Sequence, residues 1–409
     1  MLKKINDFFE YIVAFCIIIN TNTVWTNNNK INNINLIILI FSLFILMLTL
    51  INKILKRKKI FFKGMLLLNF ICVYNLGYVL FSANRTNIKR FIIMFIFILI
   101  PLIMYYLFKD TDDLEHNLMG KLSNIIVILA GVSLIFYFLC SVFKIISPTS
   151  YVSINWGGER YIPSYFGLYY ETQPINIGGI WLIRNTGVFT EAPMHSFVLC
   201  IALIIRIFLV KKKTNISTMI LIFAIFTTYS TTGILVTCLI LVSTFISQQN
   251  RNKIIKFIKL IMLPLVIILF LCVAMLFYFD KKQTNSYSIR MDDYRIALKA
   301  WSEHKFIGNG FGTIEEQTYK YTNINERNTG GSSGINSIVS DGGIYLFFMY
   351  ISPFVILFIY YICKKDFMKA IMVIMLIILL LTTSIAYRAL MINFLAFLWA
   401  GVANRKEIY

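Results

Sequence analysis

Apolar runs long enough to cross a bilayer recur from one end of the chain to the other, separated by short polar or basic breaks. A spanning helix needs about 20 apolar residues, so the pattern predicts a polytopic membrane protein. The runs fall at Met1–Asn20, Leu36–Leu50, Phe61–Phe81, Phe91–Phe108, Ile125–Ile146, Ser196–Val210 and Ile216–Thr227, then from the Ser230 turn down to Arg251. They continue at Lys259–Phe279, Ile344–Cys363, Ile371–Leu381 and Leu390–Val402. About twelve spans result, and two long hydrophilic segments interrupt them, Ser147–Met194 and Asp280–Asp341.

Basic clusters orient the spans, because loops rich in Lys and Arg stay on the cytoplasmic side. Lys53 to Lys59, Lys211-Lys212-Lys213, Arg251 to Lys256 and Lys364-Lys365 serve as inside markers. Both termini then lie in the cytoplasm and both long hydrophilic segments outside. One loop runs against the rule: Asn84 to Arg90 is placed outside yet carries Arg85, Lys89 and Arg90. The resulting units are 1–146 (helices), 147–195 (first outer loop), 196–279 (helices), 280–341 (second outer loop) and 342–409 (helices).

Composition agrees with the pattern. The chain is 58% hydrophobic and 14% charged, and its 39 Lys and Arg against 19 Asp and Glu mark topology rather than nucleic-acid binding. The seven cysteines, at 16, 72, 140, 200, 238, 272 and 363, all sit in or beside apolar runs, which argues against a disulfide framework or a zinc site. Lys3 and Lys4 ahead of an apolar run imitate a secretory signal, but no small-residue cleavage pattern follows, and the run is read as the first span.

Candidate chemistry gathers where the first long loop meets a span, at Arg184-Asn185-Thr186-Gly187-Val188-Phe189-Thr190-Glu191-Ala192-Pro193-Met194-His195. A guanidinium near the hydrocarbon edge requires an anion, whether a phosphate, a headgroup or Glu191. Glu191, before a proline-opened helix, suits either a capping charge or a general base; Pro193 biases Ala192 out of the α region. His195 is the other base candidate, against a plain hydrogen-bonded histidine. Arg290 and Arg295 flank Asp292-Asp293 on a stretch of helical spacing, and spacing alone leaves a local ion pair and a pyrophosphate clamp level.

Gly308-Asn309-Gly310-Phe311-Gly312 reads as a tight turn rather than a nucleotide loop, and Gly330 to Gly334 as a hinge. Trp156, Tyr165 and their aromatic neighbours in the first loop suit sugar stacking or an interfacial belt. Asp110-Thr111-Asp112, a metal-type carboxylate pair, lies on the cytoplasmic side without a surrounding domain.

The Arg184-to-Pro193 motif is followed by the Ser230-Thr231-Thr232-Gly233 turn, by Arg290 with Trp301 and the glycine turn, and by Asn336 with Asp341-Gly342-Gly343. This ordered set, from about Gly178 to Val402, resembles the O-antigen ligase and polymerase family of lipid-linked polysaccharide enzymes. The resemblance implies an all-α, GT-C-like membrane glycosyltransferase that joins oligosaccharide repeats carried on undecaprenyl pyrophosphate, with no cofactor and no obligatory metal. Where members carry His-Asn, this chain has Ile335-Asn336, which points to a polymerase rather than a ligase.

In that reading Arg184 and Arg290 stabilise the departing pyrophosphate and Glu191 or His195 takes the acceptor proton. Arg295, Arg388, Asn336, Ser230, Trp156 and Tyr165 line the substrate. Expected partners are the lipid-linked oligosaccharide, the bilayer, and a chain-length regulator and flippase of the same capsule, exopolysaccharide or O-antigen system, with no nucleic acid. The enzyme would work on the outer face of the cell membrane. The rival readings are a ligase-type transferase, a flippase or transporter of lipid-linked oligosaccharide, and a membrane O-acetyltransferase.

Overall fold

The computed structural model describes residues 2–27, 33–55, 62–82, 84–109, 114–155, 158–177, 179–210, 215–247, 285–322 and 331–404. It is mostly helical, and six of its helices are long and apolar enough to cross a membrane. They are α2 (Ile34–Leu55), α3 (Phe62–Phe81), α4 (Ile88–Phe108), α5 (Leu118–Val142), α6 (Ala192–Leu209) and α11 (Gly334–Cys363). Ahead of them lies α1 (Leu2–Ile19). Shorter apolar helices follow: α7 (Ile216–Thr227), α8 (Thr231–Ser247), α12 (Phe367–Thr382) and α13 (Ala389–Ala403). The second hydrophilic segment contributes α9 (Asn285–Glu303) and α10 (Ile314–Tyr321). The span expected at Lys259–Phe279 lies outside the described residues, so six long spans and the shorter apolar helices are what the structure supports of the expected twelve.

The helix that follows the Arg184 motif is the centre of the bundle. Of the α6 window, 94% is buried, against 67% or less in each other long helix, and α6 packs on α5, α7, α8 and α12. Gly233 at the start of α8 permits the closest of these approaches, since a Cβ there would stand 1.8 Å from Ser196 Oγ. One continuous apolar core joins the helices.

Polar contacts divide the bundle into two faces. On one, buried Glu10 accepts hydrogen bonds from Lys109 Nζ (2.6 Å) and Tyr105 Oη (2.8 Å), and Lys121 bridges Asp7 (2.8 Å). At the other end of α1, Asn20 Oδ1 accepts from the Ala389 amide (2.8 Å), and Thr23 forms a β-bridge with Phe189. Residues 20–23 follow the C-terminal end of α1, roughly 14 Å of helix past Glu10, so the Arg184 motif and the start of α13 meet at that end, away from the Glu10 cluster.

The first hydrophilic segment departs from the all-α expectation. Its residues form β1 (Ser150–Asn155), β2 (Glu159–Tyr165) and β3 (Tyr169–Tyr170) in one antiparallel sheet, and a hairpin of β4 (Pro174–Ile177) and β5 (Ile180–Ile183). Tyr151 pairs with Pro163 and Ser153 with Tyr161. The stretch is rich in Tyr, Ile, Val and Trp, residues that fit a pleated half-buried surface, and alternates on a period of two. Its strands are too short to outweigh the helical reading of the flanking chain.

Candidate functional site

Arg184 leaves β5 and crosses to the turn between α7 and α8. Its Nε donates to Thr228 O (2.8 Å), one terminal nitrogen to Tyr229 O (3.4 Å) and the other to Gln173 Oε1 (3.4 Å). Thr228 and Tyr229 end α7, where free carbonyls concentrate negative charge, so the guanidinium neutralises a helix C-terminus. Tyr229 holds a positive φ of 50°, a conformation non-glycine residues adopt at a cost of order 1 kcal/mol or more, and Arg184 braces it. Burial lowers the Arg184 pKa, and the Glu191 charge opposes that shift.

Asn185 fastens the same corner. Its amide donates to Thr227 Oγ1 (2.9 Å) and Ser133 Oγ (3.3 Å), its backbone N–H bonds Thr227 O (3.0 Å), and its Oδ1 receives the Gly187 amide (3.1 Å). Gly187 has φ 53°, and a Cβ there would stand 3.0 Å from the His195 ring. His195 is 1% exposed, stacks on Phe189 at 5.3 Å and places Nδ1 3.1 Å from Asn185 O. The imidazole therefore fills the space that the glycine opens.

Glu191 occupies the N-cap position of α6 in extended geometry (φ −151°, ψ 151°) without a side-chain capping bond to the helix, and Pro193 lies in the first turn. The break falls at Glu191 rather than at Ala192, which is the first helical residue. Gln173 satisfies the Ala192 amide instead (3.0 Å). Glu191 thus keeps its carboxylate at the half-buried rim of the corner, electrostatically coupled to Arg184.

A second corner forms around a break in α11. Gly343 has φ 58° and ψ −154°, and the amides of Ile344 and Tyr345, freed by the break, bond to Lys305 O and Phe306 O (both 2.9 Å). The glycine turn that follows α9 fills the break: Gly308 has φ 75°, and a Cβ on it would lie 2.5 Å from the Asp341 and Gly342 backbone. Fully buried Asp341 receives the Gly312 and Thr313 amides (both 3.1 Å) and the Thr313 hydroxyl (3.2 Å), and hydrogen-bonds Tyr387.

The Thr383–Arg388 connection joins this corner to the rest. Thr383 O accepts from the Gly334 amide (3.0 Å), and Tyr387 Oη donates to Ser337 O (3.2 Å). Arg388 caps α13 in extended geometry and is half-buried; burial, then the neighbouring Arg90 charge, pushes its pKa down to about 10, with Glu315 opposing.

The remaining expected residues divide clearly. Arg295 is engaged by Asp292 (2.7 Å) and Tyr321 O (2.6 Å), tying α9 to α10. Arg290 is half-buried on α9, whose neighbours are α10 and α11; none of the Arg184 hydrogen bonds reaches that helix. Ser230 receives the Gly233 amide at 3.5 Å in the first turn of α8. Tyr165 is buried against Tyr169 and Tyr137, whereas Tyr151 and Tyr161, on one face of the sheet, are 66% and 74% exposed. Asn336 is buried, and its Nδ2 has no hydrogen-bond partner among the described residues. Trp156 and Asp110-Thr111-Asp112 lie outside the described residues.

Gln173, Asn20, Asn22 and Tyr387 emerge only from the fold, whereas Arg90 already stood out as part of the basic loop that runs against the positive-inside rule. Asn22 O accepts both the Thr190 amide and hydroxyl (3.2 Å each), so residues 20–22 join the Arg184 corner to the Arg388 connection. Among the described residues, no group of three His, Cys, Asp or Glu side chains is placed to hold a metal.

Residues 216–351, about a third of the chain, match the family model described as O-antigen ligase. The match runs from α7 into α11, through the Ser230 turn, Arg290, the glycine turn and Asp341-Gly342-Gly343. It supports the O-antigen ligase/polymerase family, whose members are glycosyltransferase-like enzymes. No curated protein matches the chain.

Proposed function

We propose that this protein is a polysaccharide polymerase that joins oligosaccharide repeats carried on a lipid pyrophosphate, at the outer face of the cell membrane. A hydroxyl of one lipid-linked repeat attacks the anomeric carbon of a second chain. The bond from that carbon to the pyrophosphate breaks, and the lipid pyrophosphate leaves with the bonding electrons. Glu191 takes the hydroxyl proton, since it stands at the rim of the Arg184 corner whereas His195 is enclosed. Arg388 at the second corner takes most of the charge that builds on the leaving group, while Arg184 chiefly holds the first corner in shape.

The observation that carries the reading is the family match across the very elements that build the second corner, α9, the glycine turn and the broken α11. A clamp between Arg184 and Arg290, which come from two separate elements, stays part of the proposal, and the Arg184 hydrogen bonds to Thr228, Tyr229 and Gln173 favour a bracing duty for that arginine besides. A ligase-type reading remains because the matching family is described by that activity. It differs in acceptor: a ligase moves the glycan to another lipid, a polymerase to the next repeat.

The test is reconstitution of the full chain in liposomes with purified lipid-pyrophosphate-linked repeats. Polymerisation yields a ladder of longer lipid-linked chains, absent in Glu191→Gln. Transfer only to a different acceptor lipid would assign a ligase, and movement of unlengthened repeats across the bilayer would assign a flippase.

A further inference from the structure

The sheet of the first hydrophilic segment has two unlike faces. On the inner one Val152, Ile154 and Ile162 pack against Val24, Trp25 and Tyr170. The outer one is built from the cross-strand pairs Tyr151–Pro163, Ser153–Tyr161 and Asn155–Glu159, since residues paired across two strands point to the same side. Tyr151, Tyr161 and Glu159 on it are exposed, and Ser153 Oγ donates to Glu159 Oε1 (3.4 Å).

The sheet is fastened to the Arg184 motif. Trp25 Nε1 donates to Gly167 O (2.8 Å), the Asn155 amide to Asn27 Oδ1 (2.8 Å) and the Val24 amide to Val188 O (2.9 Å). β3 is tied directly, with the Tyr170 amide donating to Gly187 O (3.0 Å) and the Thr186 hydroxyl to Tyr170 O (2.6 Å). Tyr170 pairs with Ser164, and Tyr161 lies three residues further along β2, about 10 Å at the rise of a strand. The outer face is therefore held rigidly beside the first corner, one or more sugar lengths away from it.

We infer that the outer face of β1 and β2 is a carbohydrate platform that holds the growing glycan by sugars beyond the reacting one. A sugar ring carries C–H groups on its faces and hydroxyls round its edge. Tyr151 and Tyr161 are diagonal neighbours on adjacent strands, so their rings offer two apolar surfaces side by side, each with a phenol hydroxyl at its tip. Glu159 adds a carboxylate with several acceptor positions, of which Ser153 takes one. A bilayer is a poorer occupant, because the Asn155–Glu159 pair follows the Ser153–Tyr161 pair on the same face and would carry a carboxylate into the apolar layer. A hold on distant sugars keeps the chain at the corner between one addition and the next, and so governs chain length. The assignment rests on the polymerase reading above, and binding of free oligosaccharide separates the two.

The test uses the full chain in phosphatidylcholine nanodiscs and, as probes, oligosaccharides of one, two and four repeats released by mild acid from the lipid-linked material of the producing cells. The wild type should bind four repeats more tightly than one by about tenfold or more. Tyr151→Ala and Tyr161→Ala should each weaken the four-repeat probe by about three- to tenfold, and Tyr161→Phe, which keeps the ring, by less. Both side chains are exposed, so unfolding temperatures should hold, and in liposomes the alanine variants should give ladders of shorter chains. If the wild type lengthens chains but Tyr151→Ala combined with Tyr161→Ala binds four repeats as well as the wild type does, the platform alone falls. If the wild type binds repeats through the two rings yet lengthens no chain, the polymerase reading falls and a glycan-binding face stands. Quenching of Tyr161→Trp fluorescence by brominated phosphatidylcholine would put the face in the bilayer and overturn the inference, as would failure of the wild type to bind any of the three oligosaccharides.

Discussion

The two arginine corners differ in what surrounds the charge. At the first, Arg184 meets two helix-terminal carbonyls, a glutamine and the Glu191 charge, so its cation is answered within the protein. At the second, burial first and the Arg90 charge second lower the Arg388 pKa, and Glu315, the carboxylate whose charge opposes them, is exposed. A cation answered internally serves structure first, whereas one disfavoured by burial and by a like charge gains more from an external anion. Arginines equally prominent in the sequence therefore carry different duties, and the difference lies in their neighbours.

The sharpest way to break this comparison is through the break in α11, which builds the second corner. Gly308→Ala places a methyl 2.5 Å from backbone at a position of positive φ, and Asp341→Ala leaves two buried amides unpaired. Each should destabilise the fold by about 3 kcal/mol or more, read as a large drop in unfolding temperature with loss of chain lengthening. A normally folded, fully active Asp341→Ala would show that the second corner does not depend on the break.

Next in size, Arg388→Gln should reduce chain lengthening by roughly 100-fold with little change in stability, because the lost interaction is made with the leaving group. Arg184→Ala should show the reverse balance, a stability loss of about 1–2 kcal/mol from the uncapped α7 terminus and a smaller fall in rate. Thermal unfolding and initial rates on the same samples separate the two. If Arg184→Ala loses rate without stability, the corners share one duty and the contrast fails.

The smallest effect is in pH. Arg388 stands at about 10 rather than its ordinary 12.5, from burial first and the Arg90 charge second. Only the charged form holds a diphosphate, so donor affinity should decline as pH rises through about 10. Arg90→Gln removes one lowering influence and should shift that decline to higher pH. The stability contribution has the opposite sense: with its folded value below the unfolded one, Arg388 opposes folding below about pH 10, and the opposition lifts as pH climbs toward 12.5.

The sequence told a good deal about the helices and less about the corners. Long apolar runs and basic clusters placed most helix boundaries within a few residues, because hydropathy period and length decide spans. The strands of the first loop escaped because each is seven residues or shorter, and aromatic spacing there fits a belt as well as a sheet. Motif residues such as Arg184 and Asp341 stood out by chemistry in apolar surroundings. Their partners did not: Gln173 and Asn20 are unremarkable in their own windows and matter only through contacts made by the fold, over 11 and 19 positions for Gln173 and 369 for Asn20. The anomaly of Arg85, Lys89 and Arg90 was legible as a violation, though not the docking of that loop on the glycine turn, where Asn87 Nδ2 reaches Gly312 O (3.5 Å).

The hydrogen bond from the Ala389 amide to Asn20 spans 369 positions of the chain. A ribosome making this protein releases Asn20 well ahead of Ala389, so α1 must wait in the bilayer while all six long helices are made before this neighbour arrives. Until then the amide side chain of Asn20 is left with Asn35, its other partner (2.9 Å). The machinery that inserts the chain therefore closes this seam only after the long helices are in place, and a nascent protein stalled before residue 389 carries the six long helices of the described residues yet lacks the seam between α1 and α13.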